Sequence, residues 1–319
     1  MPRCPSGPRG WIANPFPERG RGFKSHPRRL FYKYIVIINA IMYNHRKVAT
    51  LDDLIKDIER RINDPNYDSS YQRRLKDFLE NNIKEKYGNI PVVSTIFIIE
   101  KYNKKRRNEI SEENQLYYRN KEFTNLFEKM LRLKTKSKIY SLISIEYYNG
   151  YPILIVGEPD GLSFEGNKAK IYEVKSFNLT DFIYHVKESR EDILNRGIFK
   201  LIKINSSQLM LYLYLLKKTQ EFGLIKKTDI NYLKGVIYLY SENPAYISWA
   251  EETIKQNFKI IERGAIIYNA YNLSLKDIRT ININNEKIYH LEIDFGVRYN
   301  QNVVKNYLKN LNELIKSLK

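Results

Sequence analysis

Two rhythms of apolar residues alternate along the chain. Behind Thr50, the residues Leu51, Leu54, Ile55, Ile58 and Ile62 recur at helical spacing, with Asp52 and Asp53 in the first turn. A capping hydroxyl, acidic residues at the positive end of the helix dipole and a 3.6-residue period together predict an amphipathic helix, closed by Asp64-Pro65-Asn66. A second helical stripe, Tyr71, Leu75, Phe78, Leu79 and Ile83, runs to Gly88. Residues 91–99 are apolar all round and read as strand or as buried helix, since a run without alternation has no period to decide between them. Ser111 is placed to cap a further helix with Glu112 and Glu113 at its start and Leu116, Phe123, Leu126, Phe127, Met130 and Leu131 as its buried stripe.

Around residue 144 the rhythm shortens to that of strands. Residues 144–148 read as a strand that turns at Asn149-Gly150 into the run 153–161, and 169–175 follows after Glu165-Gly166-Asn167 as the second arm of a hairpin. Then comes a polar stretch with Asp181, His185, Arg190 and Arg196, long enough to read as a lid or strand guide. A helix around Gln208 has Leu209, Leu213 and Leu216 as its core stripe, and strands at 235–240 and 288–295 precede a lysine-rich helix at 302–318. The order predicts an α/β fold, a central mixed β-sheet flanked by helices. Three segments are expected: a basic arm over 1–41, a helical segment over 42–100 and one domain over 101–319. The arm mixes arginines with prolines and glycines, a composition that buries too little apolar surface to order itself. A natural start at Met42 is the other reading of that segment.

Composition narrows the partner. With 54 Lys plus Arg against 36 Asp plus Glu, the 319-residue chain carries +18, an excess that points to an acidic partner such as nucleic acid. A single cysteine, Cys4, allows no intramolecular disulfide and no cysteine-rich metal centre, so a reducing, cytoplasmic setting is expected. No apolar run approaches the roughly 20 residues of a membrane span. Oligomeric state is not legible.

The candidate chemistry lies between residues 157 and 212. Strand alternation puts Glu173 and Lys175 on one face and Tyr172 and Val174 on the other, and a hairpin partner brings Asp160 beside the first pair. Two carboxylates and an ammonium at the edge of an apolar sheet are costly unless an ion and an anionic substrate share the site. Asp160 and Glu173 are the hard oxygen ligands that Mg²⁺ or Mn²⁺ takes, and Lys175 suits an attacking water or a transition-state charge. Glu158, two residues from Asp160, is a rival ligand.

Pro159-Asp160 with Glu173-Val174-Lys175 resembles the signature of the PD-(D/E)xK nuclease superfamily. Gln208 and Tyr212, one helical turn apart, resemble the Q-x-x-x-Y element of its RecB-like branch. Glu173 to Lys175 is the single acidic-x-Lys triplet of the chain, and 208–212 its single Q-x-x-x-Y despite 26 tyrosines. The resemblance implies a restriction-endonuclease-like core and metal-dependent hydrolysis of DNA, most naturally as an exonuclease on single strands or ends. It also implies catalytic roles for Asp160, Glu173, Lys175, Gln208 and Tyr212. The alternatives are a structure-specific endonuclease and a non-catalytic nucleic-acid-binding module on the same fold. Similarity to the CRISPR-associated members stops short of their iron–sulfur cluster, for which the cysteines are absent. Such enzymes place a histidine on the helix before the Asp160 strand; here Glu122, ahead of Glu128, is the expected substitute ligand. Lys104, Lys105, Arg106 and Arg107 among tyrosines, and Lys200 and Lys203 before Gln208, are expected to contact phosphates.

Overall fold

A computed structural model describes residues 50–105, 121–185, 190–283 and 286–317. The basic arm, Arg106, Arg107 and the Ser111 cap lie outside the described residues. Helix α1 (Leu51–Arg61) starts where its pattern places it, with Thr50 Oγ1 accepting from the Asp53 amide at 3.3 Å. Helix α2 (Ser69–Phe78) is capped by Asp68 and continues through a π-helical stretch (Leu79–Lys84) to a last turn (Glu85–Tyr87), ended by Gly88 at φ 74°.

The undecided run at 91–99 is both things: strand β1 (Val92–Ser94) passes directly into helix α3 (Thr95–Lys105). The expected boundary near residue 100 therefore falls inside a helix. Helix α4 (Lys121–Thr135) leads to the hairpin β2 (Leu142–Tyr148) and β3 (Tyr151–Gly157), turned through Asn149 and Gly150, both at positive φ. β3 pairs antiparallel with β2 and parallel with β1 to make a three-stranded sheet.

The predicted run 153–161 does not continue as one strand. It stops at Gly157 and resumes as β4 (Gly161–Glu165), the first strand of a second sheet. Between them stands Pro159, which has no N–H to give a ladder. β4 turns at Gly166, φ 59°, into β5 (Lys168–Asn178). A short helix α5 (Leu179–His185) and the 32-residue helix α6 (Arg190–Glu221) follow, so the polar stretch read as a lid is largely helical.

Strand β6 (Asp229–Ser241), helix α7 (Pro244–Ile266), strands β7 (Ala270–Leu275), β8 (Arg279–Ile283) and β9 (Glu286–Val297), and helix α8 (Gln301–Ser317) complete the chain. The larger sheet runs β4-β5-β6-β9-β7, with β8 also on β9; the β5/β6 pairing is parallel and the others antiparallel. The fold is thus α/β with mixed sheets flanked by helices, and it is not a barrel.

Alternation decides what covers each face. Tyr172, Val174, Val236, Tyr238, Tyr240 and Ile288 meet Phe123, Phe127 and Leu131 of α4. The opposite face, with Ile171, Ile237, Leu239, Leu291 and Ile293, joins the main core with Leu209 of α6 and Ile254 of α7. Helix α6, about 48 Å long at 1.5 Å per residue, spans both sheets. Asn205 bonds backbone carbonyls of β5 and β6 midway along it, and Thr219 Oγ1 accepts from the Ile143 amide of β2 at 2.9 Å near its C-terminal end.

Candidate active site

The site arises from a mismatch in strand length. β4 ends where Gly161 pairs with Tyr172, whereas β5 continues to Asn178, so beyond Tyr172 that edge of β5 outruns its partner. Asp160, the residue just before β4, substitutes for the missing strand: its Oδ2 accepts from the Val174 amide at 2.7 Å. A backbone donor left unpaired at a sheet edge is costly, which gives Asp160 a fixed position opposite the E-x-K strand. Its own carbonyl accepts from Arg132 Nη1 of α4 at 3.2 Å.

Glu173 and Lys175 point to the α6 side, only 2% and 5% exposed. Lys175 Nζ touches Glu173 Oε1 and donates to the Val174 carbonyl at 3.0 Å. The other carboxylate oxygen of Glu173, Oε2, is buried without a hydrogen-bond partner. Burial, and next the charge of Asp160, pushes the Glu173 carboxyl up to about 8 against the pull of Lys175, with a further contribution from Glu128. Asp160, Glu173 and Lys175 are therefore together, as the hairpin geometry predicts.

The pair fits a hard divalent cation by donor type: two carboxylates, one with a buried oxygen that nothing else satisfies. Among the described residues no group of three or more His, Cys, Asp or Glu converges for a metal. A cation held here would complete its shell with water and substrate oxygens. Glu158, the rival ligand, is committed elsewhere: it pairs with Arg61 of α1 and accepts from Ser141 Oγ at 2.7 Å.

The second motif joins the first through a glycine. A Cβ on Gly157 would lie 2.8 Å from Leu215 Cδ1, 2.8 Å from Thr95 Cγ2 and 2.9 Å from Tyr212 Cε1. Only the absence of a side chain lets α6 come this close to the end of β3. Tyr212 is buried, and Gln208 Nε2 donates to its hydroxyl at 3.2 Å while Gln208 Oε1 stays unpartnered. Burial first, then the carboxylates of Glu173 and Asp160, push the Tyr212 hydroxyl well above its ordinary range. The Q-x-x-x-Y residues therefore lie beneath the carboxylates, as parts of the helix that closes over them.

The remaining expected residues are dispersed. Glu122 is exposed on α4, whereas Glu128, two turns nearer Arg132, adds to the field at Glu173. Lys200 and Lys203 are half-buried within α6 rather than on a loop ahead of it. Lys104 and Lys105 end α3.

Three residues escape sequence reasoning. Arg132, within 3.6 Å of Glu128, ties α4 to Asp160. Asn205 donates to the Glu173 carbonyl at 3.2 Å and also reaches the Val236 carbonyl, clamping α6 to β5 and β6. Thr95 contacts Tyr212 from α3. A polar residue in the middle of an otherwise apolar helix face was the one available signal, and it applies only to Asn205. Compared with family models, with curated proteins and with solved structures, the chain finds no match.

Proposed function

We propose that the chain is a Mg²⁺- or Mn²⁺-dependent nuclease of the restriction-endonuclease-like type, hydrolysing DNA phosphodiester bonds from single strands or ends. One observation carries the reading: two carboxylates and an ammonium meet at the overhanging edge of β5, with a Glu173 oxygen buried and unsatisfied. A surface that only bound phosphates would gain nothing from two carboxylates that repel them.

Asp160 and Glu173 would hold the cation, which when bound acidifies water and draws charge from the phosphodiester. Lys175, held by Glu173 and the Val174 carbonyl, supplies positive charge against the charge that develops in the transition state. Gln208 and Tyr212 keep the Glu173 side of the sheet closed to bulk water and fix the approach of α6. The surplus of basic residues over the chain attracts the polyanion.

The test uses end-labelled linear and covalently closed circular DNA with Mn²⁺ or Mg²⁺, or with chelator. Metal-dependent loss of the linear substrate with the circle spared is expected, with Lys175→Ala slower by about 100-fold or more. Salt-sensitive binding without cleavage under either metal would overturn the reading in favour of a binding module.

A further inference from the structure

Asp160 stands in a three-residue link between the two sheets. β3 ends at Gly157 and β4 begins at Gly161, so Glu158, Pro159 and Asp160 belong to neither ladder, and Pro159 has no N–H to offer one. At its far end the link is held by Asp160 itself, through the Val174 amide and Arg132. Near β3 it is held by Glu158, whose partners come from distant parts of the chain.

Those partners belong to the N-terminal helices and to the residue before β2. Arg61, the last residue of α1, bonds Glu158 Oε1 through Nη1 and Asp57 through Nη2. Ser141 Oγ donates to the same Glu158 oxygen at 2.7 Å and accepts from Arg61 Nη1 at 3.2 Å. Ser141 is fully buried and is fixed in turn by Tyr71 of α2, whose hydroxyl donates to its carbonyl at 2.6 Å. The Tyr67 hydroxyl stands 3.5 Å from Glu158 Oε2, and the Arg61 guanidinium lies 5.3 Å from the centre of that ring.

Residues 137–141 support the link along its whole length. Ser141 meets Glu158 at one end; at the other, Lys138 and Leu162 exchange backbone hydrogen bonds at 3.0 and 2.8 Å, and a Cβ on Gly161 would collide with Ser137 Oγ. The side chains of Arg61 and Glu158 are 19% and 27% exposed, so water screens this pair less than one on the open surface. With both ends pinned, the carboxylate at the end of the link has little freedom. With Glu158 released, the Asp160 side chain would keep its place by the Val174 amide alone.

We propose that Arg61 is a positioning residue for the candidate active site: through Glu158 it fixes the link between the sheets, so that Asp160 meets the Val174 amide and its carboxylate stays beside Glu173. Glu158 is then the lever rather than a ligand. That Asp160 binds a cation rests on the nuclease reading; that Arg61 holds Asp160 in place does not.

Residue-resolved hydrogen exchange of the whole chain in chelator tests the placement without metal or substrate. Val174 is the reporter, since its amide donates to Asp160, whereas the amides of Glu173 and Lys175 point by alternation toward β6. In Glu158→Gln and in Arg61→Gln the Val174 amide should exchange about tenfold or more faster, the change expected for one lost hydrogen bond, with Glu173 and Lys175 moving much less. Ser141→Ala, which keeps the ion pair, should move Val174 the same way by about threefold and serves where an Arg61 variant does not fold. Cleavage gives a second readout, which rests on the proposed hydrolysis: the Mn²⁺ concentration for half-maximal rate should rise about tenfold in the Glu158 and Arg61 variants, with the rate at saturating Mn²⁺ falling less. Unchanged exchange at Val174, acceleration of all three amides by one factor, or an unaltered Mn²⁺ requirement in an active enzyme would overturn the proposal. An unsubstituted chain that cleaves nothing would sink the nuclease reading alone, and exchange at Val174 would still decide the role of Arg61.

Discussion

Strands β5 and β9 each carry a buried glutamate with a second charged residue two positions on, and the two glutamates, Glu173 and Glu292, end in opposite conditions. Glu292 and Asp294 lie beside Lys134, Lys234 and Lys276; the hydrogen bond from Asp294, and then Lys134 and Lys234, hold the Glu292 carboxyl below its ordinary range despite burial, while burial lifts that of Asp294. Glu173 has Asp160 for a neighbour and Lys175 as its ammonium partner, and burial with that neighbour wins, lifting its carboxyl to about 8. Both clusters are built from Glu, Asp and Lys; the ratio of cations to carboxylates differs. Both oxygens of Glu292 have donors, whereas one oxygen of Glu173 has none.

The largest effect expected from breaking this contrast is at Glu173. Glu173→Gln keeps the shape but removes the charge, and cleavage in Mn²⁺ should fall by about 100-fold or more. Stability should move the other way as pH rises. The folded carboxyl titrates near 8 and the unfolded one near 4.5, so the folded state binds the proton more tightly. Its contribution is fully present below about 4.5 and is lost as pH rises through about 8. In chelator the unsubstituted protein should therefore lose stability, on the order of a few kcal/mol, between pH 5 and pH 8. Urea midpoints of the two proteins at both pH values check this. A parallel fall in the glutamine variant would place the titrating group elsewhere.

Next in size is the glycine that joins the two motifs. Gly157→Ala forces a methyl to within 3 Å of side-chain atoms of Thr95, Tyr212 and Leu215. Overpacking of this kind costs roughly 1–3 kcal/mol. A thermal midpoint unchanged by this variant would show that α6 does not need its close approach to β3, and with it the link between Gly157 and Tyr212.

These two predictions mark how far the pattern of residues reaches. The Thr50 cap, the Asn149-Gly150 hairpin and the convergence of Asp160, Glu173 and Lys175 were all legible, because each rests on local geometry: a cap, a turn or a two-residue period. What was not legible depends on contacts distant in sequence. The break of the 153–161 run into two sheets follows from where β5 and β1 find partners. Helix α7 went unread because Ile260 and Ile266, on its exposed side, blur the stripe formed by Ile247, Ala250, Ile254 and Ile261. The preference for Glu122 over Glu128 came from sequence distance alone, which cannot show which turn of α4 looks toward Glu173.

Asn205 sharpens the comparison from the helix side. Its amide spans carbonyls of Glu173 and Val236, so it sets the spacing of α6 over the unsaturated carboxylate. Asn205→Ala removes two buried hydrogen bonds and should cost about 1–3 kcal/mol. If α6 serves to hold the site, activity should fall further than the folded fraction does. An activity that tracks stability alone, measured below the melting transition, would reduce Asn205 to a structural clamp.

The smallest effect tests Glu292. Lys134 reaches Glu292 from α4 with half of its side chain in solvent, an arrangement worth less than about 1 kcal/mol once water screens it. Lys134→Gln should shift the urea midpoint barely and leave cleavage unchanged, because Tyr238 and the nearby Lys234 still support the β9 carboxylates. Redundancy is the property that separates the two regions: one cation can be removed from β9 at little cost, whereas β5 has a single lysine against two acids. A substantial loss of stability in Lys134→Gln would mean that Glu292 is as short of donors as Glu173, and the distinction between the two glutamates of this sheet would fall.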